Sequence, residues 1–335
     1  MRIMKLAAAL LLAATVAAPL QSAMAQAPIV IKFSHVVTEN TPKGKASLKF
    51  KELVEQYTAG KVKVEVYPNS TLYKDGEEMQ ALQLGAVQML APSTAKFAPL
   101  GVKQFEALDL PYIFNGQKAY DTIINGPVGK DLLARLEPKG IHGLAYWDNG
   151  FYVISANKPL LVPDDLKGLK IRISGSKIDD ATLRLMGANP QIMAFSELYQ
   201  ALQSGVVDGA QNTPSNYTSQ KFDEVQKYMN VINHVHLQYA VITSKKFWDS
   251  LPADIKPMVQ KAMDEATVYN NSISVQENAD AMAKMRKDGK VQIHDPSPAE
   301  LKVWHDAMMP VYTSASSRIG QDMIDVMTKA AAAVK

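Results

Sequence analysis

Apolar and polar residues alternate with period two over 29–35, 62–67 and 169–174, which predicts a β-strand at each place. Between the first two, Phe50, Leu53, Val54 and Tyr57 recur at i, i+3, i+4 and i+7, the buried stripe of a helix. Thr41 caps that helix and Pro42 opens it. Asp75-x-x-Glu78 then starts a second helix that Gly85 stops, followed by strand Ala86–Ala91. After strand 169–174, Ser176-x-x-Asp179 opens helix 177–186, which Gly187 ends. A short strand over Gln191–Ala194 follows, then a helix capped by Ser196 and stopped by Gly205, then strand Val206–Ala210. The last third is helical. Pro252 to Asp288 reads as one helix of roughly 50 Å, or as two with a break near Asn270-Asn271-Ser272. Strand Val291–His294 and helices near 298–317 and 320–334 close the chain.

The two halves repeat one another. Gln80-Ala-Leu-Gln-Leu-Gly-Ala-Val87 matches Gln200-Ala-Leu-Gln-Ser-Gly-Val-Val207 at six of eight positions, and Ile31–Ser34 pairs with Ile171–Ser174. Five elements stand in the same order in each half. Two β-α-β-α-β units imply two open, mostly parallel sheets with helices on their faces. Ligands of such sheets sit beyond the carboxyl ends of the strands. Two facing lobes of this kind make a cleft with strand ends on both walls.

Composition narrows the chemistry. Arg2 and Lys5 precede a short apolar run ending near Pro19, and Ala23-Met24-Ala25 is a cleavage signal, so 1–25 reads as a signal peptide. That run is too short to anchor the chain across a bilayer. Without Arg2 and Lys5 the chain has 34 basic and 33 acidic residues, which suggests neither nucleic acid nor an anionic membrane as partner. No cysteine is present, which excludes disulfides, thiolate catalysis, Cys-ligated zinc and a lipid-modified N-terminus. Signatures of serine hydrolases, zinc proteases, phosphate loops and dinucleotide binding are all missing. His234 and His236 share one side of a strand but have no carboxylate nearby in sequence, so they read as structural.

Candidate binding residues gather at strand ends. Arg172 lies near the end of its strand beside a helix start, placed to take a carboxylate by a bidentate pair or simply to lie on a solvated edge. Asn212 ends the last strand of the same unit and shares its rim, or serves as a turn residue. In the first unit the equivalent positions are Ser34-His35 and Ala91-Pro92-Ser93, with Lys43 at the next helix start. Trp147-Asp148-Asn149-Gly150-Phe151-Tyr152 reads as a turn between lobes, flanked by aromatics. Cations, amides and hydroxyls without a nucleophile describe a trap for a small carboxylate.

These stretches resemble the periplasmic solute-binding proteins of tripartite ATP-independent periplasmic (TRAP) transporters, especially the C4-dicarboxylate-binding type. The likeness rests on Phe33-Ser-His-Val-Val37, Thr41-Pro-Lys-Gly44, Asp109-Leu-Pro-Tyr112, Gly168-Leu-Lys-Ile-Arg172, Met193-Ala-Phe-Ser-Glu-Leu-Tyr199 and Gly205-Val-Val-Asp-Gly209. It implies an α/β, two-lobed periplasmic-binding-protein fold, with an open, mostly parallel sheet in each lobe and a long helix spanning both. Lobe I would comprise 26–149 plus 238–277, and lobe II 150–237 plus 278–335. By the same resemblance Arg172 and Asn212 hold one carboxylate, Phe195 packs the ligand's flank, and Ser93 and the His35 region contribute from lobe I. Lys43 is expected at a second carboxylate, with Tyr152 and Asn149 completing the site. Tyr152 stands where many relatives place Arg or Lys, and Gln211 where many have Glu, so neutral donors are expected around the ligand's second half. The implied protein is a monomeric receptor in the periplasm, without cofactor or metal, that delivers its ligand to a membrane permease. Succinate, malate or fumarate is the first expectation; an aromatic or 2-oxo monocarboxylate, or a sensor role, is the alternative.

Overall fold

A computed structural model describes residues 27–334; the expected signal segment and its cleavage point after Ala25 lie outside the described residues. The strands are β1 (Ile29–Ser34), β2 (Val62–Tyr67), β3 (Met89–Leu90), β4 (Ile141–Phe151), β5 (Val153–Ala156), β6 (Lys170–Ile173), β7 (Asn189–Ile192), β8 (Gly209–Asn212), β9 (Tyr228–Asn230), β10 (His236–Ser244) and β11 (Gln292–His294). They form two sheets, in the orders β2-β1-β3-β10-β4 and β11-β9-β5-β8-β6-β7. The repeat is visible here. In each unit the first strand is central, with the second and third parallel on either side of it. An antiparallel strand then flanks the third, β10 in one lobe and β5 in the other.

Local chemistry explains the helices. Thr41 Oγ1 accepts from Gly44 N at the start of helix Pro42–Tyr57, whose Phe50 and Val54 are fully buried. Ser176 caps helix Lys177–Leu185 in the same way. Two strands begin later than the alternation suggests. Ala86 N bonds Ala81 O and Val207 N bonds Ala201 O, so these residues finish the preceding helices before β3 and β8 start. The helix expected to begin at Ser196 opens as a 3-10 turn, Phe195–Glu197, and becomes α-helical at Leu198 with no cap bond from Ser196.

The expected turn at Trp147–Tyr152 is instead strand as far as Phe151. Pairing with β10 slips between Leu237 and Gln238, which leaves Asn149 as the extra residue of a bulge beside Gly150 at φ +89°. Tyr152 separates β4 from β5, and its N–H donates to Val235 O in the segment joining β9 to β10. Two strands therefore cross side by side from one sheet to the other, the geometry of a hinge.

The long helix is one piece, Ile255–Asp288, ended by Gly289 at φ +64°. Its Val259, Ala262, Met263 and Ala266 pack in the first lobe's core, and Met285 packs in the second's. Asn270 and Asn271 do not break it. Asn270 Nδ2 donates to Asp148 O, Asn271 Oδ1 accepts from Asp148 N, and Asn278 Nδ2 donates to Asn149 O. These side chains satisfy the free edge of β4, whose backbone groups have no strand beyond them.

The C-terminal segment packs against both lobes. Pro310, which has no N–H to continue a helix, splits the predicted 298–317 helix into Pro298–Met308 and Val311–Ile319. Trp304 and Met308 pack on the second lobe, whereas Val311, Ile319, Met323, Ile324 and Met327 pack with Phe105, Leu108 and Tyr120 of the first. The chain end, expected in lobe II, thus returns to cover the apolar face of 103–124. Among the described residues no helix is long and apolar enough to cross a membrane.

Candidate functional site

Strand alternation sends Ile171 and Ile173 into the second lobe's core and Arg172 to the opposite face, toward the first lobe. Arg172 is 4% exposed. Its Nε and Nη2 both donate to Met193 O, at 3.1 and 2.9 Å, and the Phe195 ring centroid lies 5.6 Å from Cζ. The fork is thereby held in one orientation with its Nη1 hydrogens uncommitted. Burial draws the guanidinium pKa down, opposed by Asp75 and the neighbouring Tyr152 and Asp179.

Asn212 closes β8 on the same rim. Its Oδ1 accepts from Thr213 N and Asn216 Nδ2, at 2.9 and 3.0 Å, which leaves its Nδ2 to face the crevice. Asn216 Nδ2 also donates to Tyr239 Oη at 3.2 Å. Burial keeps the phenols of Tyr152 and Tyr239 well above their usual pKa, so both are donors at neutral pH.

The first lobe supplies the facing wall with Val36, Val37, Asp75, Glu78, Ser93 and Lys96. Lys96 Nζ lies 3.2 Å from Asp75 Oδ2 and donates to Ser174 O across the crevice at 2.6 Å. Asp75 also accepts from Phe195 N at 3.3 Å. The lobes are therefore in contact, and the crevice is narrow. Its cavity volume is about 40 Å³.

Arg172, Asn212, Ser93, Phe195 and Tyr152 come together around this space; Lys43, His35 and Asn149 do not line it. Lys43 is fully buried one layer behind, its Nζ 2.9 Å from Ala91 O and 3.4 Å from the Tyr239 ring centroid. His35 turns into the core, where Nε2 meets Ser47 Oγ at 3.1 Å, and burial pushes its pKa down to about 3. Asn149 belongs to the hinge bulge and donates to Thr213 Oγ1 at 2.7 Å. Gln211 sits behind the rim between His234, at 2.9 Å, and Asp179. His236, expected to lack a carboxylate, has Asp148 Oδ1 3.0 Å from its Nε2. Among the described residues no cluster of three His, Asp or Glu side chains could hold a metal ion.

Asp75, Glu78, Lys96, Asn216 and Tyr239 are among the lining residues that sequence reasoning passed over. For Lys96 a signal existed. The offset of 120 that relates Gln80 to Gln200 also relates Lys96 to Asn216, which faces it from the other lobe.

A family model described as bacterial extracellular solute-binding protein, family 7, matches residues 33–318. The C4-dicarboxylate-binding periplasmic protein DctP of Rhodobacter capsulatus is 55% identical over 305 residues, covering 91% of this chain and 92% of that one. A solved TRAP periplasmic solute-binding protein from Shewanella oneidensis, with bound succinate, has a TM-score of 0.89 and 42% identity, covering 91% of this chain and 100% of the other. Its counterpart from Pseudomonas aeruginosa, with bound L-malate, has a TM-score of 0.83 and 41% identity, covering 86% and 100%.

Proposed function

The chain belongs to the bacterial extracellular solute-binding proteins of family 7, a family of receptors rather than enzymes, and on that premise we propose that it captures a C4-dicarboxylate. It then delivers this ligand, outside the cytoplasmic membrane, to the permease of a TRAP transporter. The observation that carries the ligand class is the buried, pre-oriented Arg172 fork between two lobes.

One carboxylate meets the Arg172 Nη1 edge and Asn212 Nδ2, contributed by neighbouring strands of one lobe. The other meets Lys96 and Ser93 across the crevice, with the Tyr152 and Tyr239 phenols beside them. Lys96 is thus the second cation, in the role expected of Lys43. Phe195 covers the carbon skeleton. Closure about the paired crossings at Tyr152 and 231–235 removes water from the ion pairs and strengthens them. On this reading the lobes divide at those crossings, at the middle of the long helix and at Pro310. Dicarboxylates fit because two cations lie on opposite walls; a monocarboxylate would engage only one of them.

Calorimetry with succinate, L-malate and butyrate tests this. The wild type should bind the diacids at least tenfold more tightly than butyrate, and Arg172→Ala should weaken diacid binding by about a hundredfold or more. Equal affinity for butyrate would favour the monocarboxylate reading. Unchanged diacid affinity in Arg172→Ala would remove Arg172 from the site.

A further inference from the structure

Glu78 is 1% exposed, lines the crevice, and neither of its carboxylate oxygens has a hydrogen-bond partner. A buried carboxyl group normally has its oxygens paired, because leaving them unpaired costs free energy. The charged groups around it come from several elements: Lys43 on helix Pro42–Tyr57, Asp75 on the preceding turn, Lys96 on the 94–100 turn, and Arg172 across the crevice. Lys43 is the cation that acts most strongly on it, yet Nζ is turned to Ala91 O and the Tyr239 ring. His35, behind Lys43, stays neutral.

We propose that Glu78 takes up a proton as the dicarboxylate enters and donates a hydrogen bond from it to an oxygen of the bound ligand. The inference rests on the receptor reading above and adds a proton to what is captured. Its direction follows from the charges. Burial pushes the Glu78 carboxyl up and the Lys43 ammonium down, each opposed by the other's charge. A dianion arriving beside them favours the form in which Glu78 is neutral and Lys43 charged, because ionised Glu78 would repel it. An acidic group in an anion crevice thereby becomes a donor.

L-malate serves as probe, since both its carboxyls are ionised from about pH 7 to 8.5. Calorimetry in two buffers of different ionisation enthalpy should show net proton uptake on binding. The dissociation constant should rise up to about tenfold over that range. In Glu78→Gln, which keeps an N–H donor but cannot ionise, uptake should fall by about half or more and the pH dependence of binding should flatten. Malate binding by the wild type without proton uptake overturns the inference, whatever the variant does. Uptake undiminished in Glu78→Gln places the proton on Lys43 and overturns it as well. No binding of malate or succinate at all overturns the receptor reading first, and this inference with it.

Discussion

Asp75 Oδ2 stands 3.8 Å from Arg172 Nη2, so a turn of one lobe meets the buried cation of the other. The same carboxylate group accepts from Phe195 N and faces Lys96. Asp75 therefore supplies counter-charge to both cations while the lobes are together, and it joins them directly.

Asp75→Asn should loosen that contact. Without the charge, Arg172 and Lys96 repel one another across the crevice, and the form with separated lobes is favoured. Small-angle scattering should show a larger radius of gyration for the ligand-free variant than for the wild type, restored by saturating L-malate. Identical curves would mean that Asp75 does not hold the lobes.

Lys96→Met separates the two ends of the ligand. It should weaken succinate by about tenfold or more while changing butyrate by less than about twofold, because only the diacid uses the second cation. Parallel losses for both acids would show that Lys96 acts on closure instead.

Gly209→Ala tests the support under Asn212. A Cβ at Gly209 would lie 2.1 Å from Ser155 O, a backbone atom that no side-chain rotation can move away. The pairing of β8 with β5 must shift, at a cost of about 1–3 kcal/mol in urea unfolding. Asn212, three residues along the same strand, should lose alignment and diacid affinity should fall.

Two buried histidines oppose folding as the pH falls. Burial holds His35 and His234 near 3, below their ordinary 6.5, so both are neutral in the folded chain. Between about pH 6.5 and 3 the unfolded chain binds protons that the folded one does not, and stability falls as pH drops through that window. The buried carboxyls of Glu78, Asp109 and Asp179, whose pKa burial raises, act in the opposite sense, so the histidine contribution is read from a difference. Between about pH 7 and 4 the urea midpoint of His234→Gln should rise relative to that of the wild type as pH falls, because Gln has no proton to gain; a constant difference would contradict it.

Much of this was readable from short stretches of chain. Thr41-Pro42 and Ser176 mark true helix starts, Gly289 a true stop, and the duplicated Gln-Ala-Leu-Gln segment announces two sheets of like topology. Arg172 and Asn212 followed from a rule about strand ends. Where one local signal met another, reading failed. Asn149-Gly150 resembles a turn but forms a bulge inside a strand, because β10 pairs with it from some ninety residues away. Asn270-Asn271 resembles a helix break but serves the edge of β4.

Periodicity, caps and duplication are properties of neighbours along the chain, and by themselves they determined the elements, their order and one wall of the crevice. Tertiary structure alone decided that Lys96 rather than Lys43 lines the crevice with Arg172, and that Glu78 is buried against it without a hydrogen-bond partner. It also decided that the chain end returns to the first lobe. The reason is physical. Which side chains confront one another depends on how two sheets are aligned by the strands crossing between them, and that alignment is settled by pairings between distant residues.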